Sequence, residues 1–321
     1  MSRLGSLKKP WFIGLLIFLS LIGVYYVARR IDWAVVGEIN SWLLGVLLVV
    51  SVLYMLVNAL STWVLLRGMG YAPHFGRLYL VVTAGLSTNY ITPVKAGIPV
   101  RLWLYKSLLE IPVSSGSASV VIETTLGMCI GAILSLWGIQ SALRQYDIRI
   151  YLLALSIIAA GGAVSLFFYP QLLKAFGKLL PSRHADRING WAKRFFESIK
   201  TIPGWTLVKV IFLYLVRVAA RAFCLFFILR DMQVSVSVLD LVFVQSISGI
   251  LGILSMLPMG IGVKDASQVV LMTQLGVPQS EALIAALIDR ALWTFVPLVA
   301  GIISVNILGV NELLRRERGN P

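Results

Sequence analysis

The sequence predicts an all-α integral membrane protein, with six full transmembrane helices and two broken, re-entrant helical hairpins arranged as an inverted repeat. Three observations lead there. The 321-residue chain is 58% hydrophobic and only 13% charged, where soluble domains carry about 25% charged residues. Six apolar stretches can each cross a hydrocarbon core of about 30 Å at 1.5 Å rise per residue. Two further stretches are interrupted by proline and glycine, carry charges at membrane depth, and match each other in spacing.

The first span, 11–28, follows Arg3, Lys8 and Lys9 as the apolar region of a signal peptide would, but it is too long for one. It ends in ARRID without a small-residue cleavage site, so it is read as a retained anchor. The other full spans are 42–66, 113–139, 150–169, 206–229 and 279–308. Stretches 78–110 and 238–275 each have an apolar arm, a break, and a second arm too short to span alone. Broken backbone at that depth is tolerated where protein buries it or a watery cavity lines it, so each is read as a hairpin that enters and leaves on one side.

Positive charge sets the orientation. The segments 1–10, 67–77, 170–205 and 309–321 hold fifteen Lys and Arg, and the alternate loops 29–41, 140–149 and 230–237 hold five. The positive-inside rule puts the first group, with both termini, in the cytoplasm, as in a bacterial inner membrane. The net charge of +14 is therefore topological, and nucleic-acid binding is excluded as its explanation. Within the basic loop, Ile188, Trp191, Phe195 and Ile199 recur at helical spacing among Lys193, Arg194 and Lys200. That pattern suits a helix on an anionic leaflet or a connector packed against the protein's underside.

The two broken stretches repeat one another. Pro93, Gly97, Pro112 and Glu123 recur as Pro258, Gly262, Pro278 and Asp289, at offsets of 165, 165, 166 and 166 residues. The hairpin breaks fall at Pro93 and Gly97 in one and at Pro258, Gly260 and Gly262 in the other. Counting crossings between 42–66 and 206–229 makes the repeats inverted, the architecture of many secondary transporters with a site at the repeat interface. The chain divides into an anchor helix and external loop (1–41), a first repeat (42–169), a basic cytoplasmic connector (170–205), a second repeat (206–308) and a cytoplasmic tail (309–321).

The embedded charges are Lys95, Arg101, Arg217, Arg221, Lys264 and Arg290 against Glu123, Asp265 and Asp289. Each costs about 2.5–3.5 kcal/mol at a helix centre, so they face a bundle interior or a cavity, and a positive surplus calls for an anion. Arg217 and Arg221, four apart, project from one face of their helix. A guanidinium fork suits phosphate; the alternative is that both arginines pair with Glu123 and Asp289. Lys95 and Lys264 stand near the breaks, where freed N–H groups also attract anions, or snorkel to an interface. The three acids serve as fixed counter-ions or as coupling groups that exchange protons. Gly127 and Gly131 form a GxxxG suited to close helix packing, and Trp103 and Tyr105 suit interfacial anchoring or flanking of a lipid.

PVKAGIPVR, LPMGIGVKDASQ and LGVPQSEALIAALIDRALW together resemble the lysylphosphatidylglycerol synthase transmembrane family, over about residues 42–308. Its first motif, P-x-x-x-G-E-x-x-R, is met at Pro93, Gly97 and Arg101, with Ile98 in the acidic place. The second, P-x-G-x-G-x-x-[E/D], is met at Pro258, Gly260, Gly262 and Asp265, and the later arginine at Arg290. The resemblance implies movement of lipids with anionic or phosphate-bearing heads between leaflets, with the partner a phospholipid or a polyprenyl-phosphate-linked lipid. Lipid aminoacylation is not implied.

A membrane-embedded lipid-modifying transferase and a small-anion transporter are the alternatives. Against the transferase, the sequence has no nucleophile and base pair, metal-ligand set or phosphate-binding glycine loop. No cofactor or metal is expected: Cys129 and Cys224 lie in apolar helices, and His74 and His184 fall in separate loops. The oligomeric state is not legible.

Overall fold

A computed structural model describes residues 39–91, 97–142, 182–255 and 262–318, together with Gly37 and Gly260. The spans expected at 11–28 and 150–169, and Pro93, Lys95 and Pro258, lie outside the described residues. Every regular element among the described residues is helical. α1 (Ser41–Gly68), α2 (Phe75–Ile91), α3 (Gly97–Leu108) and α4 (Val113–Ala142) make up the first half. α5 (Ser182–Lys200) connects it to α6 (Gly204–Asp231), α7 (Val238–Leu254), α8 (Val263–Gln274) and α9 (Gln279–Arg290). A π-turn, Ala291–Phe295, then leads without a break into α10 (Val296–Arg318).

Four helices are long and apolar enough to cross a membrane: Ser41–Gly68, Val113–Ser135, Gly204–Asp231 and Gln279–Gly309. They coincide with four of the six expected spans. Each interrupted stretch becomes two arms, of 17 and 12 residues in both halves. A 12-residue arm reaches about 18 Å at 1.5 Å per residue, short of a hydrocarbon core of about 30 Å.

The halves interlock. α1 and α6 run antiparallel along each other, with the Asn40 backbone N–H donating to the Asp231 carboxylate at 2.8 Å at one end and Gly68 lying against Thr206 at the other. α4 packs along α7 and α10 along α2, so each of these long helices lies against an arm of the other half's broken pair. Small residues make this possible: Gly127 abuts Tyr214 of α6 and Gly131 abuts Ile250 of α7, which is the close packing expected of that GxxxG.

Among the described residues, two large buried clusters fill the interior, beside a small third of Ala132 and Ile250. One joins α1, α6, α7, α8 and α9 around Leu225, Leu241, Met272 and Ala285, and the other joins α1 to α6 around Leu65, Leu78, Tyr105 and Phe195. Large apolar side chains such as Trp42, Phe212, Phe295 and Ile303 point outward, as lipid-facing surface should, because hydrocarbon chains are as apolar as leucine.

Of the two readings of the basic connector, packing against the protein's own underside describes α5. Phe195 and Ala192 are buried, Trp191, Phe196 and Ile199 pack on the same cluster, and the Ser198 and Ser115 hydroxyls meet at 2.8 Å. Lys193 and Glu197 lie on its exposed side and pair loosely at 4.0 Å, a contact worth little in solvent.

Gly301 of α10 sits where a side chain would collide with Ser87 and crowd the Thr83 carbonyl of α2. Gly301→Ala should therefore destabilise by about 1–3 kcal/mol through overpacking, read as a lower unfolding midpoint in detergent, with partial recovery in Gly301→Ala/Ser87→Gly.

Candidate functional site

Each broken pair of arms crosses at glycines. A side chain on Gly97 would collide with the Gly85 carbonyl and Asn89, and one on Gly85 would lie 2.8 Å from the Cβ of Arg101. In the second half, a side chain on Gly260 would lie 2.7 Å from the Cα of Gly252, and one on Gly252 would lie 3.2 Å from the Cβ of Lys264. Gly260 also has φ +63°, a left-handed conformation that glycine adopts freely. By contact, then, Gly97 corresponds to Gly260, whereas the sequence offset aligned it with Gly262. Four residues beyond each crossing glycine stands a cation, Arg101 or Lys264.

Those two cations have equivalent partners. Arg101 binds Glu123 of α4 at 3.2 Å, donates from Nε to the Tyr105 hydroxyl oxygen at 2.6 Å, and donates to Thr62 of α1 at 2.9 Å. The Thr62 hydroxyl in turn donates to Glu123. Tyr105 is fully buried in this network while Trp103 is exposed, so of the two aromatic residues only Trp103 is free for an interfacial contact.

Lys264 binds Asp289 of α9 at 3.0 Å, and the same carboxylate oxygen is 3.4 Å from Arg221 of α6. The other oxygen accepts from the Gln245 amide of α7 at 2.7 Å. Asp289 is only 1% exposed, and it ties four helices together. Lys264 is thus paired internally and does not snorkel. Arg290 pairs with Asp265, whose carboxylate also accepts the Gly262 N–H at 3.1 Å and caps α8.

Arg217 and Arg221 have different partners. Arg221 lies on Asp289, with the Trp293 ring 5.4 Å away. Arg217, at the midpoint of α6, forms no ion pair with a described residue. It donates to the Tyr54 hydroxyl at 3.1 Å and lies 4.9 Å and 5.5 Å from the ring centroids of Tyr54 and Tyr214. Tyr54 is held by Trp293 at 4.7 Å, and Tyr214 by the Gly127 carbonyl at 3.1 Å. Trp293 is placed by the π-turn, where the Ser51 hydroxyl donates to the Leu292 carbonyl at 2.6 Å; such turns recur at functional sites. Among the described residues, the side chains that hold the Arg217 guanidinium directly are neutral.

Among the described residues, five embedded cations (Arg101, Arg217, Arg221, Lys264, Arg290) therefore face three carboxylates (Glu123, Asp265, Asp289). Thr62, Tyr54, Tyr214, Gln245 and Trp293 are partners that sequence reading did not single out. Their signal was faint, a polar or aromatic side chain at helical spacing within an apolar run.

An all-helical assembly of membrane-length helices and paired broken arms, with its charges gathered inside, defines an integral membrane protein. The chain belongs to the family described as the lysylphosphatidylglycerol synthase TM region, whose sequence pattern matches residues 11–301. It is also similar to a UPF0104 membrane protein of Methanocaldococcus jannaschii, with 25% identity over 262 residues covering 76% of this chain and 78% of that protein.

The geometry of Asp289 gives a direct test. Asp289→Asn removes the carboxylate charge that Lys264 and Arg221 share and should destabilise by about 3–5 kcal/mol, as breaking a buried pair does. Thermal unfolding of the purified protein should show the drop, with part of it recovered in Asp289→Asn/Lys264→Met.

Proposed function

We propose that this protein moves an anionic, phosphate-bearing lipid between leaflets, the headgroup passing Arg217 at the seam of α1 and α6 while the acyl chains stay in the membrane. The observation that carries the reading is the guanidinium of Arg217, held at mid-helix by two tyrosines and by no described carboxylate. A guanidinium so held keeps its charge and its paired donors for a phosphate. Lys264 and Arg221 share one carboxylate, so a phosphate arriving beside them has a second cation to engage. A phospholipid and a polyprenyl-phosphate-linked lipid present the same chemistry to these groups.

We read the two halves as inverted repeats with re-entrant hairpins. The antiparallel course of α1 and α6 and the reciprocal packing of α4 on α7 and α10 on α2 support this arrangement, as does the matched helix series. Inverted repeats with interrupted helices meeting at a central site are how many secondary transporters alternate access. The excess of Lys and Arg in alternate loops supports cytoplasmic termini in a bacterial inner membrane. The activity is transport, with no chemical change to the lipid.

Reconstituted into liposomes with a fluorescent anionic phospholipid, Arg217→Gln should slow translocation by about ten- to a hundredfold, the weight of one charge-assisted hydrogen bond (about 1.5–3 kcal/mol). Its unfolding midpoint should stay close to that of the parent, because no ion pair is broken. Full translocation by Arg217→Gln would refute the site.

A further inference from the structure

Gln268 of α8 is completely buried, yet neither the oxygen nor the nitrogen of its amide has a hydrogen-bond partner among the described residues. An amide closed off from water in that way is costly unless something meets both atoms. Gln245 of α7, 5% exposed, has a related gap: its nitrogen donates to Asp289, and its oxygen has no described partner. Because a carboxylate only accepts, that bond fixes which way the Gln245 amide faces.

The two amides belong to one neighbourhood. Gln245 and Lys264 meet on the two oxygens of Asp289, and Gln268 stands four residues beyond Lys264, on the same face of α8. α8 packs between α7 and α9, where Ala282, Ala285 and Ala286 are buried and Ser248 turns its hydroxyl back to the Val244 carbonyl at 2.6 Å.

The first half shows what the position does when it is filled. Tyr105 stands four residues beyond Arg101, is equally buried, and meets the Nε of Arg101 with its hydroxyl. Gln268 is its counterpart by position, standing as far beyond the crossing glycine Gly260 as Tyr105 stands beyond Gly97, and its side chain is the shorter of the two.

We propose that Gln268 and Gln245 hold a buried water molecule beside the Asp289 ion pairs. The ligand must both donate and accept, since it faces two amide oxygens and one amide nitrogen. A cation would meet Lys264 and Arg221, and an anion would meet Asp289 and the Gln245 oxygen, so the site selects a neutral molecule. Three polar contacts are what a buried water in a protein typically makes. Held there, the water meets the three amide atoms that no described residue meets, beside the Asp289 ion pairs.

A structure of the full chain at a resolution that shows ordered solvent is the first test, and it needs no variant. A water within hydrogen-bond distance of both Gln268 and Gln245 is expected; a dry Gln268 amide, or the two amides bonded directly to each other, overturns the proposal. Thermal unfolding of Gln268→Met, Gln245→Met and the double variant is the second. Gln268→Met should lower the midpoint by a few degrees alone and change it little in the Gln245→Met background, because the two side chains share one molecule. A raised midpoint for Gln268→Met, or the same drop in both backgrounds, would show that no water is shared.

Discussion

A carboxylate buried among apolar helices has to be met by cations and donors from its neighbours, and that requirement organises both halves of this protein. Glu123 gathers Thr62 of α1 and Arg101 of α3 onto α4; Asp289 gathers Arg221 of α6, Gln245 of α7 and Lys264 of α8 onto α9. The short arms α3 and α8 cannot cross a membrane by themselves. Each is pinned by its cation to the helix that follows it. An ion pair of this kind gains little over a well-packed apolar core, but losing one partner is severe, because the other charge stays buried. The pairs therefore specify where the broken arms sit more than they stabilise the fold.

Glycine supplies the other half of the arrangement. The cations reach their carboxylates because the returning arm crosses its partner at Gly85 and Gly97, or at Gly252 and Gly260, with room for no side chain at the crossing. Arg217 stands outside this scheme. It lies on α6 opposite Tyr54 of α1, forms no ion pair with a described residue, and is held by two tyrosines.

Much of this was legible in the sequence, for physical reasons that differ by element. The four described spans and both breaks could be read because a membrane demands long apolar runs and leaves proline and glycine conspicuous. The matched helix starts and buried acids of the two halves could be read from Pro112 and Glu123 against Pro278 and Asp289, since helix starts and buried charges tolerate little drift. What could not be read was contact. Spacing gave Arg217 and Arg221 the same role, yet one turn of helix separates an arginine on a carboxylate from one on two tyrosines. Spacing also aligned Gly97 with Gly262, while the crossing in space uses Gly260, because the path through a break is not fixed by residue count. Thr62, Gln245 and Gln268 are ordinary helix residues until their neighbours across the bundle are known.

The central claim is that an uncancelled arginine charge at the α1 and α6 seam holds an anionic lipid. Native mass spectrometry of the full chain, released from micelles containing equal anionic and zwitterionic phospholipid, measures this directly. The account predicts retained anionic lipid on the parent protein and much less on Arg217→Gln. Equal retention of zwitterionic lipid, or undiminished anionic lipid on Arg217→Gln, would contradict it.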